Sequence, residues 1–174
     1  QGLPVLRAAN TGVSGVIDAK GRVSVPAPFR AALGGGSRIF LWPALDGSKC
    51  LEGGGEDLMA LYRQTISRLP LQSRERKALT LAIVSRSADL KMDEPGRVKI
   101  PEEMLARVGI DHRMVFVGAL ESFQIWSPEA YAAYEGDMAG AVSDPKVINA
   151  LAAPYDAAIG AGSVPGLARM PGEG

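Results

Sequence analysis

The chain has 174 residues, 47% hydrophobic and 22% charged, enough to bury a real core in one compact domain or two small ones. Nothing in it approaches the ~20 apolar residues of a membrane span, and the opening segment has Arg7 but no long apolar run, so a cytoplasmic protein is expected. The formal net charge of zero hides an asymmetry: residues 1–92 hold 13 Lys+Arg against 7 Asp+Glu, a balance of +6, while residues 93–174 hold 6 against 12, a balance of −6.

A basic half suggests a surface for an anionic partner. The single cysteine, Cys50, cannot form an internal disulfide, and the single histidine, His112, leaves no Cys/His cluster for zinc.

Along the chain, the first patterned stretch is Asp18-Ala-Lys-Gly-Arg-Val-Ser-Val-Pro-Ala-Pro-Phe-Arg30. Asp18 can cap a turn through its side chain, Gly21 supplies a left-handed residue, and Arg22 follows directly. Val23 and Val25 alternate with Ser24 as a half-buried strand does. Pro26 ends that strand and opens a short helix, which Gly34 stops. Arg38-Ile-Phe-Leu-Trp42 reads as a buried strand, and Pro43–Gly55 as a loop with a short strand around Lys49–Leu51. From Glu56 to Leu69 the apolar residues Leu58, Met59, Tyr62, Ile66 and Leu69 recur at helical spacing until Pro70. Ser73 is placed to cap a second helix running to about Val84, with Leu79, Ala82 and Ile83 on its apolar side. The two helices form a hairpin that packs on the sheet or on a neighbouring subunit.

Ser87–Met92 predicts a strand, and then the first stretch returns as Asp93-Glu-Pro-Gly-Arg-Val-Lys-Ile-Pro-Glu-Glu-Met-Leu105. Gly96, Arg97, Val98, Ile100 and Pro101 repeat the earlier turn, strand and helix start, and Gly109 with Ile110 gives a Schellman-type helix end. Arg113-Met-Val-Phe-Val117 matches the earlier buried strand at the same offset of 75 residues. Phe123-Gln-Ile-Trp126 is a further strand, at which the register of the repeat slips. Ser127-Pro128-Glu129 opens a final helix. Beyond Gly136 the chain is rich in Gly, Ala and Pro, and only Asp144–Ala153 is compatible with helix.

A period of 75 residues is far longer than the units of solenoids, so one supersecondary unit has been used twice in a pseudo-two-fold domain. The expected division is 13–72 for the first repeat with its following helix, 73–138 for the second, and 139–174 for a disordered tail. Val25, Ile100, Phe40, Phe116 and Ile125 are expected in one shared core.

Lysine and arginine on a hairpin tip neutralise phosphates, and arginine adds the planar fork that bidentate recognition of guanine requires. The structural alternative is that Asp18 and Asp93 pair with Arg22 and Arg97 only to hold the turns. A third reading is an oligomeric interaction protein that uses Trp42, Trp126 and the helical hairpin at interfaces and does not bind DNA. Catalysis has little support: there is no Gly-rich phosphate loop, nucleophile elbow or metal cluster, and the lone histidine has no partner in view. No cofactor and no small-molecule substrate are expected.

The two Asp-x-x-Gly-Arg stretches, with Pro at the same downstream offset, Val115-Phe-Val-Gly118 and Phe123-Gln-Ile-Trp126, resemble the bacterial MraZ family, which carries two SpoVT/AbrB-like repeats. The resemblance covers roughly residues 13–135. It implies an α+β fold in which both repeats build one pseudo-two-fold, swapped-hairpin (AbrB-like) β-barrel with flanking helices. It further implies a ring-forming, nucleoid-associated regulator of the division and cell wall gene cluster that binds direct repeats in double-stranded promoter DNA. By motif match it puts Lys20, Arg22 and Arg30 at the DNA, with Arg97 the second-repeat equivalent of Arg22. The second copy departs at Glu94-Pro95, where the first has Ala19-Lys20, and at Leu105, where the first has Arg30. That loss of positive charge implies unequal contact by the two repeats. The opening dozen residues and the long tail also lie outside the pattern.

Overall fold

In a computed structural model describing residues 12–151, the sequence repeat becomes an exchange of strands. The first repeat supplies β1 (Val13–Val16), β2 (Val23–Ser24), α1 (Ala27–Ala32), β3 (Arg38–Pro43) and β4 (Cys50–Gly54). The second supplies β5 (Ala88–Lys91), β6 (Arg97–Val98), α4 (Glu102–Arg107), β7 (Arg113–Ala119) and β8 (Ser122–Trp126). Between them lie α2 (Glu56–Ser67) and α3 (Arg74–Leu79), the latter continuing as a wider π-helical segment over Thr80–Ser85.

The main sheet is antiparallel throughout, in the order β1-β7-β8-β4-β3-β5. Read from either end, this order shows a pseudo-two-fold. Val16 of β1 faces Arg113 of β7, and 75 positions on Lys91 of β5 faces Arg38 of β3, so each repeat lends its first strand to the other. The sheet is a curled half-barrel, and β2 pairs with β6 in a separate ribbon centred on Val23 opposite Val98. Those two residues are equivalents, so the pseudo-axis passes between them.

The register slip has a plain cause. Pro43 faces Leu51 in the first β-hairpin, whereas its equivalent, Gly118, faces Phe123 in the second, so the first turn is longer and β4 sits later in its repeat than β8 does. The loop expected over Pro43–Gly55 is accordingly shorter, because β4 continues to Gly54. Glycine is required inside that strand: a methyl on Gly53 would stand 2.5 Å from Leu41 Cδ2 and 2.6 Å from Phe123 Cζ.

Strand alternation sends Ile39 and Leu41, with Met114 and Phe116, to one face, where they join Val23, Val25, Phe29, Val98, Ile100, Met104, Phe123 and Ile125 in one core. Phe29, Phe116 and Phe123 meet in tilted and edge-on ring contacts with centroids 5.8 to 6.2 Å apart. Phe40 is buried as expected but not in that core. It points to the opposite face with Trp42, Leu58, Met59, Ile66 and Ile83, and the counterpart of Phe116 at the repeat offset is Leu41.

The α2–α3 hairpin therefore packs on the outer face of the sheet through the residues its helical spacing marked. Ser73 caps α3 by accepting a hydrogen bond from the Arg76 amide at 3.1 Å. Short helices α1 and α4 follow Pro26 and Pro101 and end at Gly34 (φ 67°) and Gly109 (φ 73°). The second end is a full Schellman motif, with Ile110 N–H donating to Leu105 O at 2.9 Å and Gly109 N–H to Ala106 O at 3.2 Å. The last helix, α5 (Pro128–Ala141), is capped by Ser127, whose hydroxyl accepts from the Ala130 amide at 3.2 Å. It runs past Gly136, and residues 145–151 are again helical, so the expected tail begins in helix; 152–174 lie outside the described residues. One structural unit ends at Tyr131 and a second begins at Ala132.

Phe116 is fully buried at the centre of the shared core. Phe116→Ala is expected to lower unfolding stability by about 3–5 kcal/mol, measured by urea denaturation, whereas truncating half-buried Val115 on the other face is expected to cost less. Equal losses would contradict a single core on one face.

Candidate nucleic-acid interface

Each Asp-x-x-Gly-Arg segment closes on itself. At turn 1, Asp18 N–H donates to Arg22 O (2.7 Å) and Gly21 N–H to Asp18 O (2.9 Å). Asp18 Oδ1 accepts from the Lys20 and Arg22 amides at 2.8 and 2.9 Å, and its Oδ2 accepts from Arg22 Nε and Nη2 at 3.0 and 2.9 Å. Turn 2 repeats the pattern: Asp93 N–H donates to Arg97 O, Gly96 N–H to Asp93 O, and Asp93 accepts from the Arg97 amide (2.8 Å) and Nε (2.9 Å). Gly21 and Gly96 both adopt positive φ, 75° and 80°, which a side chain would strain.

These bonds set the carboxylates' acidity. The Arg22 amide first, then the Arg22 side chain and the Lys20 amide, outweigh partial desolvation and hold the Asp18 carboxyl down at about 2. Asp93 is lowered in the same way, first by the Arg97 amide.

The turns are neighbours. Ser24 pairs with Arg97 across the central ribbon, Val25 N–H donates to Gly96 O at 2.9 Å, and Arg22 Nη1 stands 3.5 Å from Asp93 Oδ2. Arg22 thus touches the carboxylates of both repeats. Lys20, Arg22 and Arg97 are brought to one region, with Lys20 exposed and the two arginines partly so. Arg30 stands behind turn 2: its Nη1 donates to Pro95 O at 3.4 Å, and a methyl on Gly96 would meet its Cδ at 2.5 Å. Its Nε is buried without a hydrogen-bond partner.

At the equivalent place behind turn 1, Leu105 is shorter than Arg30, and a cavity of about 310 Å³ opens there, lined among others by Gly21, Lys99, Glu102, Leu105 and Asp111. Motif matching within one repeat does not find Arg30 or Lys99 in these positions, because each contacts the turn of the other repeat. The signal available was the exchange itself, once a swapped architecture is assumed.

Cys50 is fully buried, and burial pushes its thiol up to about 12, which removes it from thiolate chemistry. His112 is exposed beside Asp111 at 3.1 Å. No helix among the described residues is long and apolar enough to cross a membrane.

The fold and site define a class: an α+β protein of two strand-exchanged repeats whose carboxylate-held basic turns meet at a pseudo-two-fold axis. The family described as "MraZ protein, putative antitoxin-like" matches residues 83–146. A "Transcriptional regulator MraZ" of Hyphomonas neptunium is 51% identical over 82% of this chain and 86% of its own length. Proteins of the same name from Parvibaculum lavamentivorans and Caulobacter vibrioides are 42% and 37% identical, each over 68% of this chain and 74% and 76% of their own lengths. The chain belongs to the MraZ family. The role those names describe, transcriptional regulation, is not an enzymatic one.

The depressed acidity of Asp18 has a direct test. A carboxylate lowered in the folded state stabilises that state above its unfolded value of about 3.9, and the contribution is lost as pH falls through about 2. In an NMR titration the Asp18 carboxyl carbon is expected to move with a midpoint near 2. A midpoint near ~3.9 would show that the turn is not closed in solution.

Proposed function

We propose that the protein is a sequence-specific regulator that binds direct repeats in double-stranded promoter DNA as a ring, acting in the cytoplasm at the nucleoid on the division and cell wall gene cluster. The observation that carries this reading is the exposed first turn, where Lys20 has no ion-pair partner among the described residues and Arg22 stands beside it. Lys20 positions the turn on phosphate, and Arg22 supplies base readout. Arg22 stays bound to Asp18 through Nε and Nη2. Its Nη1 faces only the long 3.5 Å contact to Asp93, so turning that group to DNA sacrifices one weak interaction. Arg97 plays the lesser part, beside Glu94 and Pro95. Arg30 contributes by supporting turn 2 from behind, which favours a positioning role over a direct contact.

One turn binds weakly, and a ring that displays several turns raises effective concentration across spaced DNA repeats. Assembly draws support from the helical hairpin segment, where Leu61, Leu71 and Leu81 are 42%, 69% and 51% exposed. The same residues favour, as second reading, an interaction protein that never touches DNA; the absence of salt-dependent DNA retention would decide for it.

Arg22→Ala is expected to abolish promoter-specific binding in a gel shift while light scattering finds the oligomer intact. The Asp18 bonds to the Lys20 and Arg22 amides survive that change, so the turn itself should persist. Lys20→Ala should weaken binding evenly across sequences. Unchanged promoter affinity for Arg22→Ala would sink the base-readout role.

In a separate measurement, the full chain and a version ending near Gly140 are both expected to scatter as the same oligomer. A monomeric full chain that still binds promoter DNA tightly would refute avidity, and a truncated chain that dissociates would place the tail in the interface.

A further inference from the structure

We propose that Lys99, contributed by the second repeat, joins Lys20 of the first in a composite phosphate-binding tip at turn 1, so that turn 1 is the main DNA contact of each protomer. This rests on the DNA-binding reading above and adds to it a residue and a polarity.

Lys99 follows β6, where Val98 and Ile100 point into the core and alternation turns Lys99 outward, leaving it exposed. Its stem lies along turn 1: a methyl placed on Gly21 would sit 3.5 Å from Lys99 Cε, which is ordinary van der Waals contact. The ammonium is one bond further on. Neither Lys20 nor Lys99 forms an ion pair among the described residues, whereas Arg22 and Arg97 are both held by aspartates. Glu102 and Asp111 line the cavity that Lys99 also lines, yet neither reaches ion-pair distance of it, and Asp111 is occupied by His112 at 3.1 Å. Two uncommitted ammonium groups from different repeats therefore flank one turn.

The pseudo-two-fold shows that this is not a consequence of the scaffold. The position equivalent to Lys20 is Pro95, and the position equivalent to Lys99 is Ser24. Turn 2 has neither lysine and carries exposed Glu94 in their place. A phosphate approaching turn 1 meets two uncommitted ammonium groups; approaching turn 2, it meets exposed Glu94 beside arginines already engaged, Arg97 by Asp93 and Arg30 by Pro95 O. Lysine is suited to the first task because phosphate contacts need a mobile point charge, not a planar fork.

The test uses the full chain, a fluorescent duplex from the region upstream of its own gene, and a scrambled duplex of the same composition, with anisotropy followed against KCl concentration. Lys99→Ser is expected to weaken both duplexes alike and to flatten the slope of log K against log salt by about 0.9 for each engaged turn. Lys20→Ala should do the same, Lys99→Arg should keep the slope, and the thermal midpoint of Lys99→Ser should match the unsubstituted protein. A slope unchanged by Lys99→Ser but flattened by Lys20→Ala overturns this inference and leaves the DNA-binding reading standing. Weaker binding at unchanged slope with a lowered thermal midpoint assigns Lys99 a structural role and also overturns it. An unsubstituted protein with no salt-dependent binding to either duplex overturns the DNA-binding reading itself.

Discussion

Two aspartates hold the place where the halves of the chain meet. Asp18 accepts two backbone amides of its turn and Asp93 one, each also accepts from the side chain of the arginine four residues on, and Arg22 reaches from the first carboxylate towards the second. Charged hydrogen bonds of this kind are stronger than neutral ones, and they close each turn tightly enough for β2 and β6 to pair through their first residues past the turns. With the ribbon fixed at Val23 and Val98, β1 and β5 are directed away from their own repeats and onto β7 and β3. The strand exchange, and with it the single core, depends on a pair of turns whose side chains also carry the charge expected to face DNA. On the proposed reading, structure and recognition would compete for the same arginines, whereas Lys20 and Lys99 form no ion pair among the described residues.

Backbone symmetry and side-chain symmetry have parted company. The 75-residue offset survives in β1 against β5 and in β3 against β7, while Leu41 answers Phe116, Arg30 answers Leu105, and Lys20 answers Pro95. Inside the core, Phe116 packs against Phe29 and Phe123, whereas Leu41 fills the space beside Gly53. Behind the turns the two repeats also differ. Arg30 occupies the space under Gly96, and Leu105 leaves a cavity beside Gly21. Turn 1 is thus the less supported from below and the more basic on its rim.

Local chemistry made much of this legible from sequence. Asp-x-x-Gly-Arg announces a turn, Pro and Gly bracket α1 and α4, Ser73 marks a helix start, and the spacing of Leu58, Met59, Tyr62 and Ile66 marks the buried side of α2. Non-local choices were hidden. Periodicity shows that Phe40 and Leu41 take opposite faces but not which face has the larger core, so Phe40 is expected in one core with Phe116 when it belongs with Trp42. Gly53 and Gly54 look like loop residues until Leu41, Phe123 and Leu58 are seen to fill the space their side chains would take. For the candidate site, the turn residues were readable and their supports were not: Arg30 and Lys99 act on the opposite repeat, and no single motif contains both partners. The π-helical segment at Thr80–Ser85 had no signal in the apolar spacing.

The helical hairpin exists once, between two repeats that otherwise mirror each other, and it breaks the two-fold on the outer face of the sheet. Over β3 it buries Phe40 and Trp42, the latter with its indole N–H donating to Glu52 at 3.1 Å and its ring edge-on to Tyr62. The equivalent outward residues of β7 are Val115 and Val117, smaller and half-buried. Burial pushes the Glu52 carboxyl above its ordinary pKa even though Trp42 donates to it, so the polar group is kept for its hydrogen bond at some desolvation expense. A subunit with two like outer faces is suited to pairing through a shared two-fold. One with a helical hairpin on one half alone has unlike surfaces, and unlike surfaces that meet head to tail give a ring where the rotation closes and an open filament where it does not. The same insertion that ends the internal symmetry of the chain therefore leaves its two halves with unlike outer surfaces.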